Sequence, residues 1–280
     1  MKKRTVFYLL SVAVAFAACQ GSQEPQDCTK QTDTIVAQDE TLVLEQRSGE
    51  RCYTMDYEEE MFGRPREQRS YYISWPSDDH PVLQRAILEN VFGKGAKDFD
   101  AAAEQFLANS AIDGFEDHKA YVVKETKNFE PNDYCNIRVI CENDKRFYSF
   151  LVTIEEYGFG AAHPNAAVNY INYDIREKRL IQLSDLMDTT HLSSIARKAL
   201  KSLPENKETL ECVYSKDDIY ASSIFTIDLD KNEIILVYEP YDIGPYACGI
   251  LQIHLPVAWL SQELQLTPYC NELFHLTAEA

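Results

Sequence analysis

The sequence predicts an α+β protein, with helices packed on one face of mostly antiparallel sheets in two similar sub-domains. Two observations predict this. Runs rich in Val, Ile, Tyr and Phe recur between turn residues, as at 134–142, 146–157 and 233–239. Between them lie stretches whose apolar residues return every three or four positions, such as Leu192, Ile195, Ala196, Ala199 and Leu200. With 280 residues, the chain has room for real cores in both halves.

The first residues carry an address. Lys2, Lys3 and Arg4 form a basic start, Val6 to Phe16 an apolar run, and Ala17 and Ala18 precede Cys19. That run is too short to span a bilayer and reads as a secretory leader, residues 1–18. Small residues directly before a cysteine have the pattern of a bacterial lipobox, so Cys19 is the expected lipidation site. Several acyl chains would hold the protein on a membrane, the outer one if the cell has two, because Gln20 is not Asp. Losing the leader takes the net charge from −18 to −21. Such a surface repels nucleic acid and anionic lipid and attracts cationic partners. Seven further cysteines permit disulfides in an exported protein but leave an odd thiol, assigned to Cys28; no pairing is readable. Cys135 and Cys141 share a face of one expected strand and lie too far apart along it to bond.

Residues 19–40 read as a flexible tether. Strands are expected at 41–46 and 51–57, with the acidic run Glu58 to Glu60 as a solvated turn, and at 68–75, stopped by Pro76. Ser77, Asp78 and Asp79 offer caps for a helix ending near Gly93, and a second helix runs from Phe99 to about Leu107. The Gly93 to Lys97 segment lacks phosphate-loop spacing and reads as a turn. Strands at 119–129, 134–142 and 146–157 are expected as an antiparallel meander, followed by a hairpin at 167–174 and 179–183. Ser184 and Asp185 should cap the helix that runs to Leu203. A hairpin of 219–228 with 233–239, a strand at 250–255 and a helix at 256–264 complete the pattern. The expected division is 41–150, 151–266 and a tail, 267–280.

The reactive motifs fail. No H-x-x-x-H, H-E-x-x-H or C-x-x-C exists, so no metal is expected, and no G-x-S-x-G marks a serine nucleophile. Asp228, Asp230, Asn232 and Glu239 fit four positions of a calcium loop, but Glu233 stands where glycine must turn, so a hairpin turn is expected instead. No cofactor is expected, and no catalytic residue.

Two loops stand out. Tyr238 to Gly249, Y-E-P-Y-D-I-G-P-Y-A-C-G, should be stiff, bent and aromatic, because proline fixes φ and glycine opens the left-handed region. Tyr157 to Asn165 is its small, turn-prone counterpart. Rigid aromatic loops on a β scaffold make good binding surfaces.

With these loops in view the chain resembles the RsiV-like exported domain family, found in the anti-sigma factor RsiV and the peptidoglycan deacetylase PdaC. The resemblance lies in G-F-G-A-A-H-P-N at 158–165, Y-I-N-Y-D-I and R-L-I-Q-L-S-D-L-M within 170–187, the 238–249 loop and L-P-V-A-W-L at 255–260. The first half is similar to the PdaC-type companion module, through I-S-W-P at 73–76 and the helix beginning at His80. The resemblance implies an α+β fold that binds lysozyme. No sigma-binding segment or deacetylase motif accompanies it, so the expectation is a non-catalytic, lipid-anchored module recognising a lysozyme-like muramidase or peptidoglycan. The binding residues expected are Tyr157, His163, Asn165, Glu239, Tyr241, Asp242, Pro245 and Tyr246. Two rivals remain: an envelope enzyme using His163 with a carboxylate, and a purely structural lipoprotein.

Overall fold

The computed structural model describes residues 31–36, 41–144 and 147–275. The leader, Cys19 and Cys28 lie outside these residues. Eight strands form one sheet: β1 (Gln31–Val36), β2 (Thr41–Thr54), β3 (Arg66–Pro76), β4 (Tyr121–Val122), β5 (Asp133–Asp144), β6 (Phe147–Tyr157), β7 (Asn165–Asp174) and β8 (Arg179–Leu180). Their order is β1-β2-β3-β5-β6-β7-β8, with β4 beside β2. Every pair is antiparallel except β3 with β5. A second sheet has order β11-β10-β9, from Phe225–Asp228 (β9), Glu233–Tyr238 (β10) and Leu251–Pro256 (β11). The chain is α+β, and its sheets are mostly antiparallel.

On one face of the large sheet lie α1 (Pro81–Phe92) and α2 (Phe99–Ala108), whose Leu83, Ile87, Val91 and Phe99 pack on Tyr71, Ile73, Val139, Phe150 and Tyr173. The small sheet crosses the other face, where Ile235 and Val237 meet Val168, Leu151 and Tyr170. Behind it come α3 (Leu183–Leu186), α4 (Leu192–Ser202), α5 (Lys207–Cys212), α6 (Val257–Glu263) and α7 (Pro268–Leu273). All five residues of the α4 stripe are buried there, with Ile234, Leu236 and Tyr238. Strand β10 is thus covered on both sides, and its six residues are all buried. That explains an unbroken Ile-Ile-Leu-Val run where a half-exposed strand would alternate.

Several elements differ from the sequence reading. The strands expected at 41–46 and 51–57 are one strand, because Gly49 sits under the Tyr71 ring, leaving no room for a Cβ, and the pairing continues past it. Part of the expected tether, β1, pairs with β2. The strand expected at 119–129 shrinks to β4, whose two residues are exposed, and β5 pairs in parallel with β3 instead of completing a meander. Neither Ser77 nor the aspartates after it cap α1; His80 holds that position and Pro81 starts the helix with its φ already set. The helix expected after Ser184 is two helices, the first opened by Gln182 and Asp185 in a reciprocal capping box. The first strand of the 219–239 hairpin begins only at Phe225. Strand β6, which covers 147–155, pairs on both sides and contributes to both cores, with Phe147 in the second and Tyr148, Phe150 and Val152 in the first.

Candidate functional site

Because the small sheet lies across the large one, the end of β10 meets the start of β7. The Glu239 carboxylate accepts the Val168 N–H at 2.7 Å, stitching the two there. The chain turns at once: Asp242 N–H donates to the Glu239 carbonyl, and Asp242 Oδ2 accepts the Glu239 N–H, both at 3.1 Å. Tyr241 at the corner has φ of +76° and is 55 % exposed. A large side chain in left-handed backbone is strained, and such residues concentrate at binding sites. Beyond it, Gly244 is buried where a Cβ would stand 2.8 Å from the Cys212 carbonyl oxygen. A disulfide from Cys248 to Cys212 fixes the end of the loop to α5.

The second loop, residues 158–164, joins β6 to β7. Asp133 Oδ2 accepts the Phe159 N–H at 2.8 Å, and the Tyr157 hydroxyl donates to the Ala161 carbonyl at 2.8 Å. Asp133 is buried with Glu67, Arg69 and Glu156 nearby, and burial pushes its carboxyl up to about 6.

The two loops meet through three rings. His163 stacks on Tyr246 with centroids 4.2 Å apart and planes 23° apart, and Tyr241 lies 5.6 Å from Tyr246. His163 Nδ1 lies 2.9 Å from the Pro164 carbonyl, which can only accept, so the proton sits on Nδ1. Nε2 is left to accept from the Tyr241 hydroxyl at 3.2 Å. Beside this cluster opens a cleft of about 300 Å³ lined by Ile154, Glu156, Asn165, Ala166, Ala167, Glu239, Pro240, Tyr241 and Tyr246. The exposed alanines at the start of β7 leave its floor open.

Of the residues expected at the site, Asn165, Glu239, Tyr241 and Tyr246 line the cleft, and His163 braces it from behind. Tyr157 instead stacks on Tyr134, 5.7 Å between centroids, and supports the loop from below. Asp242 pairs with the Tyr220 phenol, which burial and this carboxylate push up to about 12. Pro245 is half-buried and opens the short turn Tyr246–Cys248. Tyr238, the first residue of the loop, is core; its hydroxyl donates to the Tyr220 carbonyl at 2.7 Å. The calcium-like pattern is a hairpin turn, with Asp228 Oδ1 accepting the Asp230 and Lys231 N–H groups. Among the described residues no three His, Cys, Asp or Glu side chains gather to hold a metal, and no helix is long and apolar enough to cross a membrane. Sequence reasoning missed Ile154, Glu156, Ala166, Ala167 and Pro240 in the lining and Asp133 beneath the loop; the Ala166–Ala167 doublet at the start of β7 was a visible signal.

Residues 170–258 match DUF3298, a family described as a protein of unknown function. The DUF3298 segment contains the 238–249 loop and most of the second core. A solved DUF3298 family protein from Bacteroides fragilis has the same fold, with a TM-score of 0.57 and 17 % identity over 88 % of this chain and 96 % of that one. Another DUF3298 family protein, from Pseudomonas aeruginosa, is similar over 88 % of this chain and 97 % of its own, with a TM-score of 0.50 and 13 % identity. No curated protein matches the sequence.

Proposed function

We propose that this is a lipid-anchored envelope binding protein that recognises a lysozyme-like muramidase or peptidoglycan at the cleft between its two aromatic loops, without transforming the ligand. The observation that carries the reading is Tyr241. It is exposed, held in left-handed backbone and bonded to His163 beside an open cleft. Nothing in the core needs an exposed ring there, and the anchoring of both loops keeps the entropy lost on binding small. Both ring nitrogens of His163 are engaged, by a carbonyl and a phenol, an arrangement suited to bracing a platform more than to moving a proton. The resemblance to RsiV-like domains supplies the ligand class, and the lipobox pattern at Cys19 supplies the anchor.

The test uses the purified protein in mild detergent, titrated with a C-type lysozyme and, separately, sedimented with insoluble peptidoglycan. Tyr241→Ala and Tyr246→Ala run beside it, with folding checked by circular dichroism. Binding to either ligand that the folded variants lose would support the reading. Binding to neither would discard it.

A further inference from the structure

The turn after β2 presents an apolar tip. Met61 is 79 % exposed and Phe62 is 50 % exposed. Single exposed apolar side chains are ordinary on protein surfaces, but this pair is held in place. Glu59 and Gly63 close the turn with reciprocal backbone hydrogen bonds of 3.0 and 2.8 Å, and Gly63 takes φ of +78°. The Glu59 carboxylate caps the N–H groups of Met61 and Phe62, each at 2.7 Å. One edge of the Phe62 ring rests on Phe159, 6.0 Å between centroids, and against Gly160, where a Cβ would come within 3.3 Å of it. Phe159 is in turn gripped by Phe115 and by the bond from its N–H to Asp133.

Phe159 belongs to the same 158–164 loop that carries His163, so one loop supports both the tip and the Tyr241 ring at the cleft. The tip's neighbours along the chain are also acidic: Asp56, Glu58 and Glu60 are exposed just before it, and Arg64 after it lies 3.9 Å from Glu58. We infer that Met61 and Phe62 are a second contact for the ligand of the cleft, and that this ligand is the cationic, lysozyme-like protein of the proposed function. The inference rests on that reading and narrows it. Two preorganised apolar side chains with acidic neighbours fit an apolar hollow in a basic protein surface. A sugar chain has neither the charge to answer those acids nor an apolar hollow to receive a methionine.

The experiment is a calorimetric titration of the purified protein in mild detergent with a C-type lysozyme as the basic probe. It compares the wild type with Met61→Ser, Phe62→Ala and Tyr241→Ala. Met61 touches so little that its substitution leaves the fold intact, which the melting temperature checks. The expected result is binding weakened about tenfold or more by Met61→Ser and by Phe62→Ala, at unchanged stoichiometry. If the wild type binds, Tyr241→Ala does not, and both tip variants bind as well as the wild type, the second contact is overturned while the cleft stands. If the wild type fails to bind lysozyme but sediments with peptidoglycan, the protein ligand is overturned, and with it this inference.

Discussion

Tyr241 carries the clearest residue-scale prediction, because its backbone and its ring serve different ends. At φ of +76° a side chain costs roughly 1–2 kcal/mol that glycine would not pay. Both Tyr241→Ala and Tyr241→Gly lose the ring and its bond to His163, but only glycine relieves the backbone. Tyr241→Gly should therefore unfold at higher temperature than Tyr241→Ala by about 1 kcal/mol of stability, and neither should bind; calorimetry and the lysozyme titration check the two halves. Asp133 gives a prediction in pH. Its folded pKa, about 6, lies above the ordinary aspartate value, so its contribution is full at low pH and is lost as pH rises through the window from about 4 to about 6. Asparagine keeps an oxygen for the Phe159 N–H and carries no charge. Asp133→Asn should be more stable than the wild type at pH 8, by at most about 3 kcal/mol, with the difference vanishing near pH 4. Denaturant titrations at the two pH values measure it, and equal differences at both would refute burial of the charge as the cause.

At the scale of elements, the loop of the site is defined by its fastenings: the Glu239 bond to β7, the closed approach at Gly244 and the Cys212–Cys248 bridge, with a sequence separation of 36 residues. A loop of that length gives a disulfide about 3–4 kcal/mol by chain entropy. Tyr246 lies two residues from Cys248, so the Cys212→Ser, Cys248→Ser double variant should lose about that stability and also bind more weakly, as its ring leaves the His163 stack. Denaturation and binding with and without reductant test both effects, and unchanged affinity after reduction would show that the bridge does not hold the platform. What the sequence revealed here was composition: prolines, glycines and tyrosines marked both loops as stiff and aromatic. Their meeting was not visible, since His163 and Tyr246 are brought together only by the crossing of two sheets. The same limit explains the missed pairing of β3 with β5, which joins strands on either side of two helices. Local periodicity, by contrast, identified the five buried stripe residues of α4, because one face decides them, though not where the helix starts. The Met61–Phe62 tip was hidden by the acidic run before it, which read as a solvated turn.

Over the whole molecule, four layers (helices, large sheet, small sheet, helices) bring the two loops together while acidic residues outnumber basic ones by 45 to 27. A net charge of −18 acts at distances where contacts do not, so its effect belongs to the approach of a partner more than to the bound state. A cationic protein would be drawn in along this field, and salt would screen it: the Debye length shrinks from about 20 Å at 0.02 M to about 6 Å at 0.3 M. The stacked rings and the apolar tip, once docked, are shielded from that change. Raising the salt across this range should slow association with a C-type lysozyme about tenfold or more and alter dissociation by less than about twofold, as read by surface plasmon resonance. Peptidoglycan offers no comparable positive charge, and its binding should be nearly indifferent to salt. A salt effect confined to dissociation would place the charges inside the contact and remove steering from the account.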